Sequence, residues 1–231
     1  MYRLLSGYQR FRSNRWPDER ERFERLSQGQ EPRALVIACS DSRVDPTMIF
    51  GAGPGELFVV RNVANLVPPY APDDKYHGTS AAIEFGLCAL RVPNVIVLGH
   101  ALCGGARALL DGAPPSVGDF VAQWVKIGEP ARQRAVACPR CDDRQEACEH
   151  EIIRLSLGNL RTFPWIRELV EAGRLRLWGC FFDIRTGILK MIGPDGRFAP
   201  VTRQLAACKN ETELMRVWST PRTTDNADNV R

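Results

Sequence analysis

The sequence predicts an α/β fold: a mostly parallel central β-sheet flanked by helices, with an N-terminal helical arm. Three observations carry this expectation. Short apolar runs recur at Ala34 to Ala38, Leu57 to Val60 and Val95 to Leu98, too uniformly apolar for strands with one wet face. Between the second and third lies Thr79 to Leu90, a Ser/Thr-started stretch of alternating small and large apolar residues that reads as a buried crossover helix. Strand, helix, strand makes neighbouring strands parallel. Ahead of all this, residues 2–29 are polar and Arg/Glu-rich, with apolar positions at Leu4, Leu5, Tyr8, Phe11, Phe23 and Leu26 spaced for helix and a restart at Trp16-Pro17.

Length and composition bound what the chain can be. With 231 residues, 44% of them hydrophobic, it can bury a sizeable core without disulfide staples. No stretch reaches the roughly 18 consecutive apolar residues of a membrane span, and Met1 to Arg12 lacks an apolar signal core, so a cytoplasmic protein without membrane insertion is expected. Eight cysteines are too few for a secreted disulfide scaffold and imply free thiols in a reducing compartment. Acidic and basic residues alternate, as in Asp18-Glu19-Arg20-Glu21-Arg22, which is a solvated helix face and excludes a nucleic-acid stripe.

Three segments follow: a helical arm over 1–30, an α/β domain over 31–210 and a polar, partly disordered tail over 211–231, with disorder expected from Ser219 onward. Within the domain, a helix runs from Cys103-Gly104-Gly105 to Leu110. A second covers Val117 to Ile127, with Phe120, Val121, Trp124 and Val125 on one side. Residues 128–148, rich in Arg, Asp and Cys, read as surface helix and loop. Helical spacing resumes over Glu149 to Leu160 and Pro164 to Glu171, the latter with proline at its start and Gly173 past its end. Arg174 to Ile184 is then a strand that Arg185-Thr186-Gly187 turns into Ile188 to Ile192.

Chemistry concentrates where two of the apolar runs end. The first delivers Cys39-Ser40-Asp41-Ser42-Arg43, and the run Asn94 to Leu98 delivers Gly99-His100-Ala101-Leu102-Cys103-Gly104-Gly105. Zinc favours thiolate and imidazole in a tetrahedron, and a catalytic site commonly offers three protein ligands and an open fourth position. Cys39, His100 and Cys103 supply that set, one zinc per chain, at the carboxyl ends of strands where α/β sheets place their sites. Gly104 and Gly105 let the backbone come close. Asp41 is near enough to reach the metal or its water, and Arg43 can hold that carboxylate back through a paired-oxygen salt bridge.

Blander readings stand beside these. Cys88, Cys180 and Cys208 are core or surface thiols, and His77 and His150 are structural or exposed. Cys138, Cys141, Cys148 and His150 have the ligand types of a second zinc site. Only the first pair has zinc-like spacing, so surface thiols are the preferred reading. A redox role for that pair lacks a strand-turn-helix context.

The stretches Ala38-Cys39-Ser40-Asp41-Ser42-Arg43-Val44, Gly55-Glu56-Leu57-Phe58-Val59-Val60-Arg61-Asn62-Val63-Ala64-Asn65 and Gly99 to Gly105 closely resemble the β-class carbonic anhydrases. The likeness runs from about Gln28 to Ile192 and includes Ala81 to Phe85 and Leu155 to Leu160. It implies a zinc enzyme interconverting carbon dioxide and bicarbonate by zinc-bound hydroxide, built on a mostly parallel sheet. The family assembles as a homodimer or a higher even-numbered homo-oligomer whose dimers share active-site clefts. By position, Cys39, His100 and Cys103 become the zinc ligands and Asp41 with Arg43 the catalytic dyad. Gln30, nine residues before Cys39, matches a substrate-binding Gln of the plant-like subgroup. Where a second subgroup has a Trp that forms an inhibitory bicarbonate site, this chain has Val36. An open site with Asp41 held on Arg43 is therefore expected. Phe58 matches an apolar wall of the substrate pocket, while Phe85 stands where plant-like members carry a Tyr; activity is expected to survive. Two thiolates donate more charge than imidazoles, so the resemblance also implies better activity at alkaline pH. The alternatives are a hydrolase of another small heterocumulene, such as carbon disulfide, and a zinc-stabilised binding module without turnover.

Overall fold

The computed structural model describes residues 1–139 and 143–202. Cys141, Cys208 and the expected tail over 211–231 lie outside the described residues. A six-stranded sheet has the order β2-β1-β3-β4-β5-β6. Its strands are β1 (Ala34–Cys39), β2 (Leu57–Asn62), β3 (Asn94–His100), β4 (Arg176–Asp183), β5 (Ile188–Ile192) and β6 (Phe198–Pro200). The first four run parallel, and β5 and β6 add antiparallel at one edge. The expected mixed sheet is present, and only β6 has no counterpart in the sequence reading.

Every residue of β1 is buried, as expected of a central strand covered on both faces. Side chains alternate across it. Leu35 and Ile37 join Val95, Val97 and Phe181 beneath the helices, whereas Val36 and Ala38 meet Leu98, Cys180 and Met191 on the other face. Burying a Leu, Ile or Phe side chain of this kind stabilises the fold by about 1.5–3 kcal/mol each. The helices over the larger core are α4 (Gly78–Glu84), α8 (Arg144–Leu160) and α9 (Pro164–Glu171), through Ile83, Ile153, Leu160 and Ile166.

From β1 the chain pairs β2 on one side, then crosses back to place β3 on the other. The strand order therefore reverses at β1/β3, and the crevice outside the carboxyl ends of these two strands is the place where open α/β sheets bind ligands. Cys39 and His100 are the last residues of those strands.

Helices α1 (Tyr2–Arg10) and α2 (Trp16–Leu26) form the arm and bury none of their residues. A π-helical turn over Phe11–Arg15 joins them, and α2 begins at Trp16 with Pro17 in its first turn, the restart the sequence predicts. Phe11, Trp16 and Phe23 cluster on one another there. No helix among the described residues is long and apolar enough to cross a membrane.

Among the described residues of 128–148 the expected surface helix is present as α7 (Glu129–Ala137), followed by the start of α8. The reading is corrected in part: Pro130, Gln133 and Arg134 are exposed, but Ala131, Ala135 and Cys148 are fully buried where the two helices pack. Small side chains let the helices approach, which a count of large apolar residues misses. The helix expected over Val117 to Ile127 is also shorter. It is α6 (Val121–Val125) between two 3-10 turns, and Phe120 is exposed rather than packed with Val125.

Candidate metal centre

Three ligand-bearing atoms converge at the crevice: Sγ of Cys39, a ring nitrogen of His100 and Sγ of Cys103 lie within 4.8 Å of one another, and all three residues are buried. Among the described residues no other such group occurs. The sulfurs are 3.8 Å apart. Two zinc-sulfur bonds of about 2.3 Å at the tetrahedral angle span about 3.8 Å, so the spacing suits zinc without rearrangement.

The histidine is prepared in the same sense. Nδ1 of His100 lies 2.9 Å from the carbonyl of Ala101. A carbonyl only accepts, so Nδ1 carries the proton and Nε2 presents its lone pair. That Nε2 is buried and has no hydrogen-bond partner. An orphaned acceptor in a buried site is costly unless a ligand completes it, and zinc coordination does so.

Backbone N–H groups near both sulfurs favour their charged form. Those of Asp41 and Ala64 act on Cys39, and those of Gly105 and Ala106 on Cys103. Cys103 caps α5 (Gly104–Asp111), so its sulfur sits where the helix dipole favours negative charge. Without a cation the paired thiols cannot both ionise: the hydrogen bond between them pulls Cys39 well below its ordinary value and pushes Cys103 up. Burial works against a charged His100 ring, yet the neighbouring Cys39 sulfur leaves it raised. A divalent cation resolves this competition by neutralising two thiolates.

Strained backbone aims these groups. Ala64, Asn65 and Leu102 have φ of 64°, 45° and 58°, in the left-handed region. Each costs about 1 kcal/mol or more for a residue with a Cβ. The turn at Val63 to Asn65 is held from outside by Trp124 Nε1 on the Val63 carbonyl at 2.8 Å and Ser156 Oγ on the Asn65 carbonyl at 3.1 Å. Of the two glycines after Cys103, only Gly105 is needed for close approach. A Cβ there would meet Val63 and Ala64 at 2.7 and 2.8 Å, while one at Gly104 would meet nothing within 4 Å.

Asp41 and Arg43 form the expected paired-oxygen contact, with Nε on Oδ1 at 2.9 Å and Nη2 on Oδ2 at 2.7 Å. Arg43 holds the Asp41 carboxyl well below the usual carboxylate range. Asp41 Oδ2 also stands 3.9 Å from His100 Nε2, beside the metal position.

The three pocket residues lie elsewhere in the chain. Phe58 pairs with Leu35, four residues before Cys39, which is roughly 13 Å along the strand. It meets Phe85 at 5.9 Å between ring centroids, and Phe85 is 50% exposed. Gln30 lines a cavity of about 550 Å³ with Arg22, Arg25, Leu26 and Gly55, near the amino end of β1. One chain therefore does not bring Gln30, Phe58 and Phe85 onto its own metal ligands.

Two supporting residues went unnoticed in the sequence. Arg61 binds the carbonyls of Cys39, Asp41 and Val44 at 2.7–2.9 Å and so fixes the loop that carries the dyad. A lone Arg ending an apolar run was the available signal. Glu149, only 3% exposed, accepts the Cys103 N–H at 2.8 Å. Burial pushes its carboxyl up to about 7, against the pull of that N–H and of the Gln145 amide.

The other described Cys and His residues lie outside this cluster. Cys88 is exposed and Cys180 buried. Cys138 is disulfide-bonded, contrary to the expectation of free thiols throughout, and Cys148 is buried in the core rather than at the surface. His150 stacks on Phe198 with centroids 4.0 Å apart, and His77 pairs with Asp73 at 2.6 Å.

A mostly parallel sheet with a buried Cys-His-Cys set at its switch point defines an α/β metalloprotein with a zinc-type site. The carbonic anhydrase family model matches residues 34–189. Beta carbonic anhydrase 3 of Arabidopsis thaliana is 35% identical over 204 residues, covering 86% of this chain and 79% of that protein. Among solved structures, the β-carbonic anhydrase CcaA shares 37% identity at a TM-score of 0.79, over 87% of this chain and 91% of its own. A structure from work on two tetrameric β-carbonic anhydrases of the ascomycete Sordaria macrospora shares 30% identity at a TM-score of 0.72, over 83% and 96%. The chain belongs to the β class of the carbonic anhydrase family. It is an enzyme of carbon dioxide hydration, and zinc is its metal.

Proposed function

We propose that this chain hydrates carbon dioxide reversibly to bicarbonate and a proton at a zinc ion held by Cys39, His100 and Cys103, with Asp41 and Arg43 as the dyad that orients the nucleophile. Bound zinc supplies the Lewis acidity that makes water a nucleophile near neutral pH. The chain's own residues do the rest. Asp41, kept ionised by Arg43, has no proton to give and accepts one hydrogen bond from the attacking oxygen's hydrogen, which turns that oxygen's lone pair toward substrate. Arg43 cannot drift, because Nη2 also bonds the Leu102 carbonyl at 3.0 Å. Oδ2, 3.9 Å from the ligand nitrogen of His100, is the atom placed to act; this geometry is the observation that carries the reading.

The substrate wall comes from a second copy. Exposed Phe85, its neighbour Phe58, and Gln30 lie away from their own metal centre, so they serve that of a partner in a homodimer or higher even-numbered assembly. Mixing two inactive variants tests this. Asp41→Ala and Gln30→Ala chains, refolded together, regenerate one intact site per mixed dimer if Gln30 acts across the interface. No recovery of hydration above the two separate variants places all of these residues in one chain's site.

A further inference from the structure

The turn between His100 and Cys103 has two residues bonded to a single peptide unit. Leu102, at φ 58°, contributes the carbonyl and Cys103 the N–H of the same planar group. Arg43 Nη2 binds the oxygen end at 3.0 Å, and Glu149 Oε1 binds the hydrogen end at 2.8 Å. A cation at the oxygen and a carboxylate at the hydrogen both favour this orientation of the peptide dipole. Turning the plane over would aim the carbonyl at the carboxylate and the N–H at the guanidinium.

Glu149 is itself anchored. Gln145, one turn earlier on α8, donates to Oε1 at 3.0 Å, and its own amide oxygen contacts Arg107 of α5. The same Gln145 nitrogen lies 3.4 Å from the Cys103 carbonyl. Helix α8 thus grips the backbone of a metal ligand from behind, while Arg43 grips it from the side of the dyad.

We propose that Glu149 is a positioning residue for the metal centre, clamping the Leu102–Cys103 peptide so that the Cys103 sulfur stays aimed at zinc and the carbonyl that anchors Arg43 stays in place. The proposal rests on the metal and dyad assignments above. Glu149 touches neither substrate nor metal; it acts through the peptide. A carboxylate that merely filled space under α5 would leave metal retention untouched.

The test is the rate at which zinc leaves the holoenzyme in excess chelator, read together with the visible spectrum of the cobalt-substituted protein. Glu149→Ala is expected to lose zinc roughly tenfold faster and to shift the cobalt bands, as loss of a group that orients a ligand does. Glu149→Gln, whose amide oxygen can still accept the N–H, should stay within about threefold of wild type. Because Arg43 and Glu149 hold one peptide, Arg43→Lys and Glu149→Ala combined should fall short of the product of their separate effects. Wild-type retention with unchanged cobalt bands in Glu149→Ala overturns the proposal, as do effects that multiply. If Glu149→Ala does not fold, Gln145→Ala, which frees the carboxylate from its anchor, takes its place in the same cycle with the same criteria. A wild-type protein that binds no zinc would fail the metal assignment instead, which separates the two outcomes.

Discussion

Asp41 and Arg43, two residues apart, meet through two parallel contacts of 2.9 and 2.7 Å, and a third bond ties Asp41 Oδ1 to the Arg43 backbone N–H at 3.0 Å. The carboxylate is thereby turned away from the cation it could otherwise coordinate. Lysine has no planar fork, so Arg43→Lys leaves one oxygen of Asp41 free to reach the metal. Charge-assisted hydrogen bonds of this type are worth about 1.5–3 kcal/mol, which predicts a loss in kcat/KM of roughly tenfold or more near neutral pH. Stopped-flow hydration assays check it; an unchanged rate would show that the pair does not hold the site open.

Gly105→Ala tests the packing behind the ligands. The new Cβ would press on Val63, on Ala64 Cβ and, at 3.1 Å, on the Ala64 nitrogen, whose N–H favours the Cys39 thiolate. Overpacking of this kind costs about 1–3 kcal/mol. The melting temperature of the zinc-loaded protein should drop. Gly104→Ala, which meets nothing, should leave it within a degree or so, apart from a small helix-propensity gain.

Much of this was legible in the sequence. Cys39, His100 and Cys103 each stand within five residues of the end of an apolar run, and Asp41 and Arg43 are close enough in sequence to meet without knowledge of the fold. Glu149 was not legible, because its partner is a backbone N–H forty-six residues away that no side-chain pattern announces. The left-handed turns at Ala64 and Leu102 carry no glycine to mark them. Ala131, Ala135 and Cys148 were misread because small buried residues between Arg and Asp leave little apolar signal. Gln30, Phe58 and Phe85 could be named from the resemblance, but it takes the strand register for Phe58, its ring contact for Phe85 and the cavity by the arm for Gln30 to show that they lie away from their own metal centre.

Phe85→Tyr restores the hydroxyl that plant-like relatives carry. Within its own chain the ring is half exposed, so no packing of that chain has to give way to the added hydroxyl. Attack on carbon dioxide needs an apolar slot rather than a donor, so kcat/KM should stay within about twofold. Any change should fall on kcat at low buffer concentration, where proton release limits turnover. A large change in kcat/KM would mean that the wall at this position takes part in the attack itself.

His150 sets a pH dependence of stability. Burial holds its ring down to about 4 from 6.5, with Arg154 and Lys190 adding to the effect and Glu146 opposing it. Below pH 6.5 the unfolded chain takes up a proton that the folded ring refuses, so stability is full above 6.5 and falls as pH drops toward 4. The loss amounts to about 3 kcal/mol at most. His150→Phe, packed between Phe181 and Phe198, should flatten denaturation midpoints between pH 7 and 5 relative to wild type. A parallel decline in both proteins would assign the loss to other groups.

The most direct test of the metal-centre assignment is stopped-flow carbon dioxide hydration with zinc analysis on the same samples of wild type, Cys103→Ala and Asp41→Ala. The expected result is about one zinc per chain and rapid hydration in wild type, both lost together in Cys103→Ala, and zinc retained with hydration sharply reduced in Asp41→Ala. Hydration that persists in zinc-free Cys103→Ala, or wild type that holds zinc and does not hydrate carbon dioxide, would contradict it.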